Sequence, residues 1–193
     1  MEVIRTARLI LRTWRADDAP AFYRLNADPR VTEFLPGALT MEEVEAFIVF
    51  QQGLFARTGG CYFALEVEST RELAGFVGLK RHELDSPVRL PFAPCSDIGW
   101  RLAAPHWGKG YAIEGARACL NFGFHALGLD EIVSFTVPEN RRSRAVMEKL
   151  GMREDTAGGF AHPALPPTHP LSRHVLYRLT RADAFKDRPR EVG

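Results

Sequence analysis

The apolar positions of this chain change their spacing from one segment to the next, and the spacing predicts the elements. "RLILRTW", Arg8 to Trp14, is mostly apolar with β-branched or aromatic members and predicts a first strand. Asp17 is placed to cap a helix through Leu25 and Asn26, with Ala19, Phe22, Tyr23 and Leu25 as its apolar stripe and Pro29 as its stop. Thr40 and Glu43 form a T-x-x-E capping box for a second helix. Its Val44, Phe47 and Ile48 share a face, and Gly59 and Gly60 end it. "CYFALEVEST" and "LAGFVGLKRHEL" then predict two strands joined by a polar turn, a hairpin. After the proline-containing loop "DSPVRLPFAPCS", "DIGWRLAA" (Asp97 to Ala104) predicts another strand. Ile98, Trp100 and Leu102 lie on one face of it, Asp97, Gly99 and Arg101 on the other.

Beyond Pro105 the period changes again. Ile113, Ala116, Leu120, Phe124 and Leu127 follow steps of three and four and predict a helix that Gly128 stops. "EIVSFTV" (Glu131 to Val137) alternates as a strand, and Asn140 caps a helix that Gly151 ends. Residues 157–172, rich in proline and glycine, read as an irregular insertion. "RHVLYRLT" predicts a last strand, residues 181–193 a polar tail, and "KDRPREVG" within it a frayed end. The early strands favour antiparallel pairing, whereas the strand–helix–strand unit from Asp97 to Val137 favours a parallel pair with a right-handed crossover. The expected fold is α/β (α+β): a mixed, mostly antiparallel central sheet with helices on both faces, in a single domain over 1–180.

Composition narrows the partners. The formal net charge of +1 on 193 residues points to neither nucleic acid nor membrane. No apolar run is long enough to span a bilayer, and Glu2, Arg5, Arg8 and Arg12 break any signal-peptide core. Cys61, Cys95 and Cys119 are odd in number and contain no C-x-x-C pair, which fits a reducing, cytoplasmic compartment. His162, His169 and His174 match no zinc spacing, so no metal site is expected. One of them is a candidate base or substrate contact, because the insertion is placed to cover a site.

The chemistry concentrates in "HWGKGYAIEGARA", His106 to Ala118, where a glycine–lysine–glycine turn runs into a helix. The unbonded amides of a first helical turn, with glycines that allow close approach, can cradle a phosphate. A tight turn with a solvated lysine accounts for the same spacing. The G-x-x-x-x-G-K-[ST] pattern of a P-loop is absent, and the third glycine of a dinucleotide fingerprint is displaced to Gly115.

"DIGWRLAAPHWGKGYAIEGARACLNFGF" resembles the acyl-CoA-binding motif of the GNAT N-acetyltransferases, especially the branch of the ribosomal-protein alanine acetyltransferases. The family's Gln/Arg-x-x-Gly-x-Gly/Ala reads here from Pro105 to Gly110, with proline at the first position. "VPENRRSRAVMEKLGM" resembles its second signature. The resemblance implies the GNAT acyl-CoA N-acyltransferase fold and acetyl-CoA (coenzyme A) as cofactor. It implies a diphosphate on the amides of Trp107, Gly108, Lys109, Gly110, Tyr111 and Ala112. A pantetheine arm would run along Trp100, Leu102 and Ala103, in a slot where that strand splays from the next, with Asn140 at the reaction end. The implied reaction moves an acetyl group from acetyl-CoA to a primary amine in a ternary complex. The acceptor is a small-molecule amine or a protein N-terminus, and a homodimer is allowed.

Many members of the family carry a tyrosine acid seven residues after the Asn; here that position is Met147, which holds no transferable proton. The second reading, a non-catalytic acyl-CoA-binding or sensing domain, rests on that loss. Ser143 is the replacement candidate, its hydroxyl either reaching the sulfur or bonding the helix backbone. Asp97 is the candidate base, either relaying a proton through water or standing as a surface carboxylate; Glu154 and Asp155 follow it. Glu114 is read as a carboxylate complementing the helix dipole. "NADPRVTEFLP" (Asn26 to Pro36) either helps form the acceptor pocket, as the resemblance implies, or is a plain connector.

Overall fold

The computed structural model describes residues 1–186. Its strands are β1 (Glu2–Arg5), β2 (Leu9–Arg12), β3 (Tyr62–Val67), β4 (Leu73–His82), β5 (Cys95–Leu102), β6 (Glu131–Thr136), β7 (Arg153–Ala161) and β8 (Arg173–Thr180). They form one eight-stranded sheet in the order β1-β2-β3-β4-β5-β6-β8-β7. Every pairing is antiparallel except β5 with β6, the strand–helix–strand unit that the spacing predicts. The helices are α1 (Ala19–Ala27), α2 (Pro29–Thr32), α3 (Met41–Thr58), α4 (Tyr111–His125), α5 (Arg141–Lys149) and α6 (Arg181–Ala184).

Alternation along the strands builds two cores. On one face Leu65, Val77, Leu79 and Ile98 meet Ala116, Leu120 and Phe124 of α4. On the other, Ala64 and Phe76 meet Phe22 and Leu25 of α1 and Val44 and Ile48 of α3. The α3 capping box forms as expected: Thr40 N–H donates to Glu43 Oε2 at 2.8 Å and Glu43 N–H to Thr40 Oγ1 at 3.2 Å. Gly59 ends that helix at φ 71°, outside the range comfortable for an L side chain.

β2 is buried along its whole length, including Arg12. A buried guanidinium needs counter-charges. Arg12 Nη2 donates to Asp18 Oδ1 at 2.7 Å and Nε to Glu66 Oε2 at 2.7 Å. Asp18 also accepts Arg15 N–H, at 2.8 Å, and fixes a 3-10 turn before α1. That turn takes the place of the cap expected from Asp17.

Two strands are missing from the sequence reading. β1 carries charges at both ends and pairs only with β2. β7 is an edge strand with no fully buried residue, so it lacks apolar alternation. The irregular stretch is therefore shorter than the expected 157–172. β7 runs on to Ala161, its glycines Gly158 and Gly159 falling where the register to β8 shifts, and 162–172 links the two strands. The expected tail begins instead with α6, capped by Thr180, which accepts Asp183 N–H at 3.1 Å. Its remainder, 187–193, lies outside the described residues.

Candidate functional site

β5 and β6 register at one pair only, Asp97 with Val133, reinforced by Ser134 Oγ donating to Ile98 O at 2.9 Å. Beyond Ile98 the two strands part, though each stays paired on its other side, β5 to β4 and β6 to β8. Among the described residues, the β6-facing edge of Gly99 to Leu102 has no ladder partner. The gap opens into a cleft of about 820 Å3.

The glycine turn closes one end of this cleft. Gly108 and Gly110 stand at φ 73° and 81°. No heavy atom lies within 4 Å of the position a Cβ would take on Gly108. The first amide to bond inside α4 is Glu114 N–H, to Gly110 O at 3.0 Å. Those of Lys109 to Ile113 donate to no described residue, which with the helix dipole makes an anion cradle. Trp107 Nε1 donates to Leu102 O at 2.8 Å and ties the turn to the end of β5. His106 adds an orphan: its Nδ1 is buried without a partner among the described residues, and burial lowers its pKa. A diphosphate-bearing ligand with an extended arm fits these features, amides at one end and free strand backbone along the other.

Arg8 stands beside the cradle and was not anticipated. Its Nη1 donates to Lys109 O at 3.0 Å, and the guanidinium lies 4.9 Å from the Tyr111 ring centre. Glu114 holds it there, accepting from Arg8 Nε at 2.7 Å, from Arg8 N–H at 3.0 Å and from Thr6 Oγ1 at 2.7 Å. Burial alone would raise the Glu114 carboxyl, but the bonds from Thr6 and Arg8 outweigh it and hold its pKa below the ordinary value. Glu114 is thus a latch between the chain's first segment and α4, more than a partner of the dipole.

Trp100, Leu102, Trp107, Gly108, Gly110, Tyr111 and Ala112 line the cleft; Ala103 and Lys109 do not. Ala103 packs against the α1–α3 core and its N–H donates to Ala74 O at 2.9 Å. Lys109 is exposed and makes no ion pair among the described residues.

Asn140 and Ser143 line the cleft together. Asn140 Oδ1 accepts Ser143 N–H at 3.1 Å and its Nδ2 donates to Thr136 Oγ1 at 3.1 Å, so its amide is committed at both ends. The Ser143 hydroxyl bonds no described residue, leaving it free on the cleft side. Met147 is buried in the core, 1% exposed.

Asp97 also lines the cleft, but it is no surface carboxylate. Tyr62 Oη donates to its Oδ2 at 2.5 Å, and His82 Nε2 lies 2.6 Å from its Oδ1. Burial first, then the charge of Asp97, pushes the Tyr62 phenol well above its ordinary pKa, so it stays a proton donor. The Tyr62 ring lies over Gly99, where a Cβ would meet it at 3.0 Å, which explains the glycine. Alternation puts Asp97 on the face shared with Gly99 and Arg101, and Tyr62 covers its Asp97 end. Glu154 and Asp155 lie outside the cleft, paired with Arg144 at 3.1 Å and Arg178 at 2.8 Å.

The far wall comes from the segment after α1, with Arg30, Val31, Phe34, Leu35 and Pro36, and from the β7–β8 side, with His162 and His174. His169 is not part of it; its Nδ1 accepts Leu171 N–H at 3.1 Å. Burial, then His174, Lys80 and His82, pulls His162 down to about 4. Arg142 bridges the walls, lying 4.3 Å from the Trp107 ring centre and pairing with Glu33 at 2.6 Å. Tyr62, His82, Arg8, Arg101 and Arg142 are the site residues that sequence reasoning missed. Only Arg101 left a signal, an arginine on the Asp97 face of a strand.

Comparison with known proteins places the chain. The profile of the acetyltransferase (GNAT) domain matches residues 8–153. The chain is 30% identical over 164 residues to an uncharacterized N-acetyltransferase of Bacillus subtilis, YnaD, covering 84% of this chain and 88% of that one. The crystal structure of an acetyltransferase from Agrobacterium tumefaciens is similar at a TM-score of 0.74 and 28% identity, over 94% of this chain and 95% of the other. The ribosomal L7/L12 alpha-N-protein acetyltransferase RimL, solved in complex with coenzyme A, shares the fold at a TM-score of 0.75 and 17% identity, over 95% and 99%.

Proposed function

The chain belongs to the acetyltransferase (GNAT) domain family, and from that premise we propose that its cleft binds acetyl-CoA and directs the acetyl group to a primary amine entering from the α2 side. Acetyl-CoA, when bound, supplies a thioester whose carbonyl carbon is open to an amine. The observation that carries the reading is the parting of β5 from β6 at the mouth of the glycine turn. A single cleft thereby offers free strand backbone and an anion cradle together.

The amides of Lys109 to Ile113 would hold the diphosphate, with Arg8 as a cation fixed beside them. The open edge at Trp100 and the Leu102 N–H would pair with the arm as an added strand, while the Leu102 carbonyl is held by Trp107 Nε1. A backbone N–H on the same edge would stabilise charge growing on the carbonyl oxygen. Trp107 and Tyr111 would wall the cofactor, and the Ser143 hydroxyl would donate a proton toward the departing sulfur. That role is supported by the hydroxyl's freedom from any hydrogen bond to the described residues. Asn140, spent on capping α5 and on Thr136, would position Ser143 and make no contact with the reacting atoms itself.

Asp97 would take the amine's proton through water. Its two oxygens already face Tyr62 and His82, so the protonated state would be shared across that group. Holding amine and thioester together in the cleft supplies much of the rate. A protein N-terminus is one acceptor class, supported by the fold shared with RimL; a small amine is the other. The reading also places the protein in a reducing cytoplasm, supported by its free cysteines. Intact-mass analysis of peptide and small-amine acceptors after incubation with acetyl-CoA tests the reaction. Acceptors heavier by one acetyl group are expected; a full panel left unmodified would refute transfer.

A further inference from the structure

The cleft holds one charge that the described residues do not answer. Arg101 projects from β5 on the same face as Asp97 and Gly99, between Phe76 and Asn26. Its Nη1 donates to Asn26 Oδ1, and its guanidinium lies 5.5 Å from the Phe76 ring centre. No carboxylate pairs with it among the described residues. The other two arginines lining the cleft are answered, Arg30 by Asp28 at 2.6 Å and Arg142 by Glu33 at 2.6 Å. Lys149, the lining lysine, is exposed and needs no partner. Asp97 is occupied by Tyr62 and His82.

A guanidinium in such a place is costly unless something neutralises it. Burial pushes its pKa down to about 10, so it remains charged at neutral pH. Tyr62 stays a neutral phenol and offers no counter-charge. Asn26 takes one of five donors, and the rest of the planar fork suits a carboxylate. Gly99 and Arg101 are two residues apart on one face, about 7 Å. Tyr62 covers Gly99 on that face, but both residues line the cleft, so an amine at the open strand edge by Gly99 and an anion on Arg101 fit one small molecule or one peptide residue.

Resting on the acetyltransferase reading above, we propose that the acceptor is an amino-carboxylate, an amine that also bears a carboxylate, and that Arg101 is the residue that selects it. The carboxylate is either the α-carboxylate of a free amino acid or the side chain of an acidic residue at a peptide N-terminus.

The test compares kcat/KM, by thiol release from acetyl-CoA, for matched acceptors. One arm pairs free amino acids with their carboxamides; the other pairs peptides beginning with Asp or Glu with those beginning with Asn or Gln. In at least one arm the carboxylate member should be favoured by about 30-fold or more. Arg101→Gln should bring that ratio near one, and Arg101→Lys should restore part of it. Calorimetric acetyl-CoA binding reports whether each variant is folded; if Arg101→Gln is not, the wild-type ratio and the Arg101→Lys ratio decide. Turnover with ratios near one in both arms overturns the proposal and leaves the transferase standing, as does a preference that Arg101→Gln does not change. Absence of turnover with every amine overturns both.

Discussion

Replacing Gly110 by glutamate puts a carboxylate on the rim of the anion cradle. Gly110 sits at φ 81° and ψ 3°, where an L side chain costs on the order of 1–2 kcal/mol. The Cβ itself has room, its nearest neighbour being Arg8 Nη2 at 3.5 Å. Alanine at 110 therefore isolates the backbone cost. For a chain of this size it should lower the melting temperature by roughly 2–8 °C. Glutamate adds a charge to that strain. At an effective dielectric of about 20, two unit charges about 6 Å apart repel by about 3 kcal/mol. Arg8, close enough to pair with the new carboxylate, should cut this by about half. Against the two charges of a diphosphate, about 3 kcal/mol remains, or roughly 100-fold in affinity. Calorimetric titration of acetyl-CoA into the wild type, Gly110→Ala and Gly110→Glu, with thermal unfolding of the same samples, separates the two effects. The variants should melt within a few degrees of each other, with only glutamate losing most of the binding. A Gly110→Glu protein that melts like Gly110→Ala and binds acetyl-CoA like the wild type would show that the cradle is not a diphosphate site.

Ser143→Ala removes the free hydroxyl while leaving the α5 cap, which uses only the backbone N–H of this residue. It should lower kcat by about tenfold or more, toward the range of lost general-acid catalysis, and change acetyl-CoA affinity far less; an unaltered kcat would exclude Ser143 as the proton donor. His162 gives a pH signature. Its folded pKa, about 4, lies below the ordinary 6.5, so the unfolded chain binds more protons between those values. Its contribution to stability is present above pH 6.5 and is lost as pH falls toward 4, an effect moderated by its partial exposure. The melting temperature of His162→Leu should fall less steeply over that interval than the wild type's, and parallel curves would contradict the assignment.

The local signals that sequence carries best are those with one physical cause. The Thr40–Glu43 box, the left-handed Gly59 and Gly151, the hairpin of β3 with β4 and the parallel step from β5 to β6 all stand where pattern and turn chemistry put them. β1 and β7 were not legible, because edge strands bury too little to alternate. The site divides in the same way. The glycine turn and the Asn140 cap are visible in local spacing, but only the resemblance to the GNAT family gives them an expected ligand. The surroundings of Asp97 do not, since they join Tyr62 from β3 and His82 from β4 to a residue 15 or more positions away. Arg8 lies 101 residues from the carbonyl it bonds. What makes Arg101 noticeable is the lack of a carboxylate beside it among the described residues, a property only the folded neighbourhood can express.

A crystal structure with coenzyme A bound tests the central claim most directly. The account predicts the diphosphate on the amides between Lys109 and Ile113, the pantetheine arm along Trp100 to Leu102 in the gap left by β6, and the sulfur facing Ser143. Coenzyme A bound elsewhere, or a gap between β5 and β6 closed by the chain's own backbone, would contradict it.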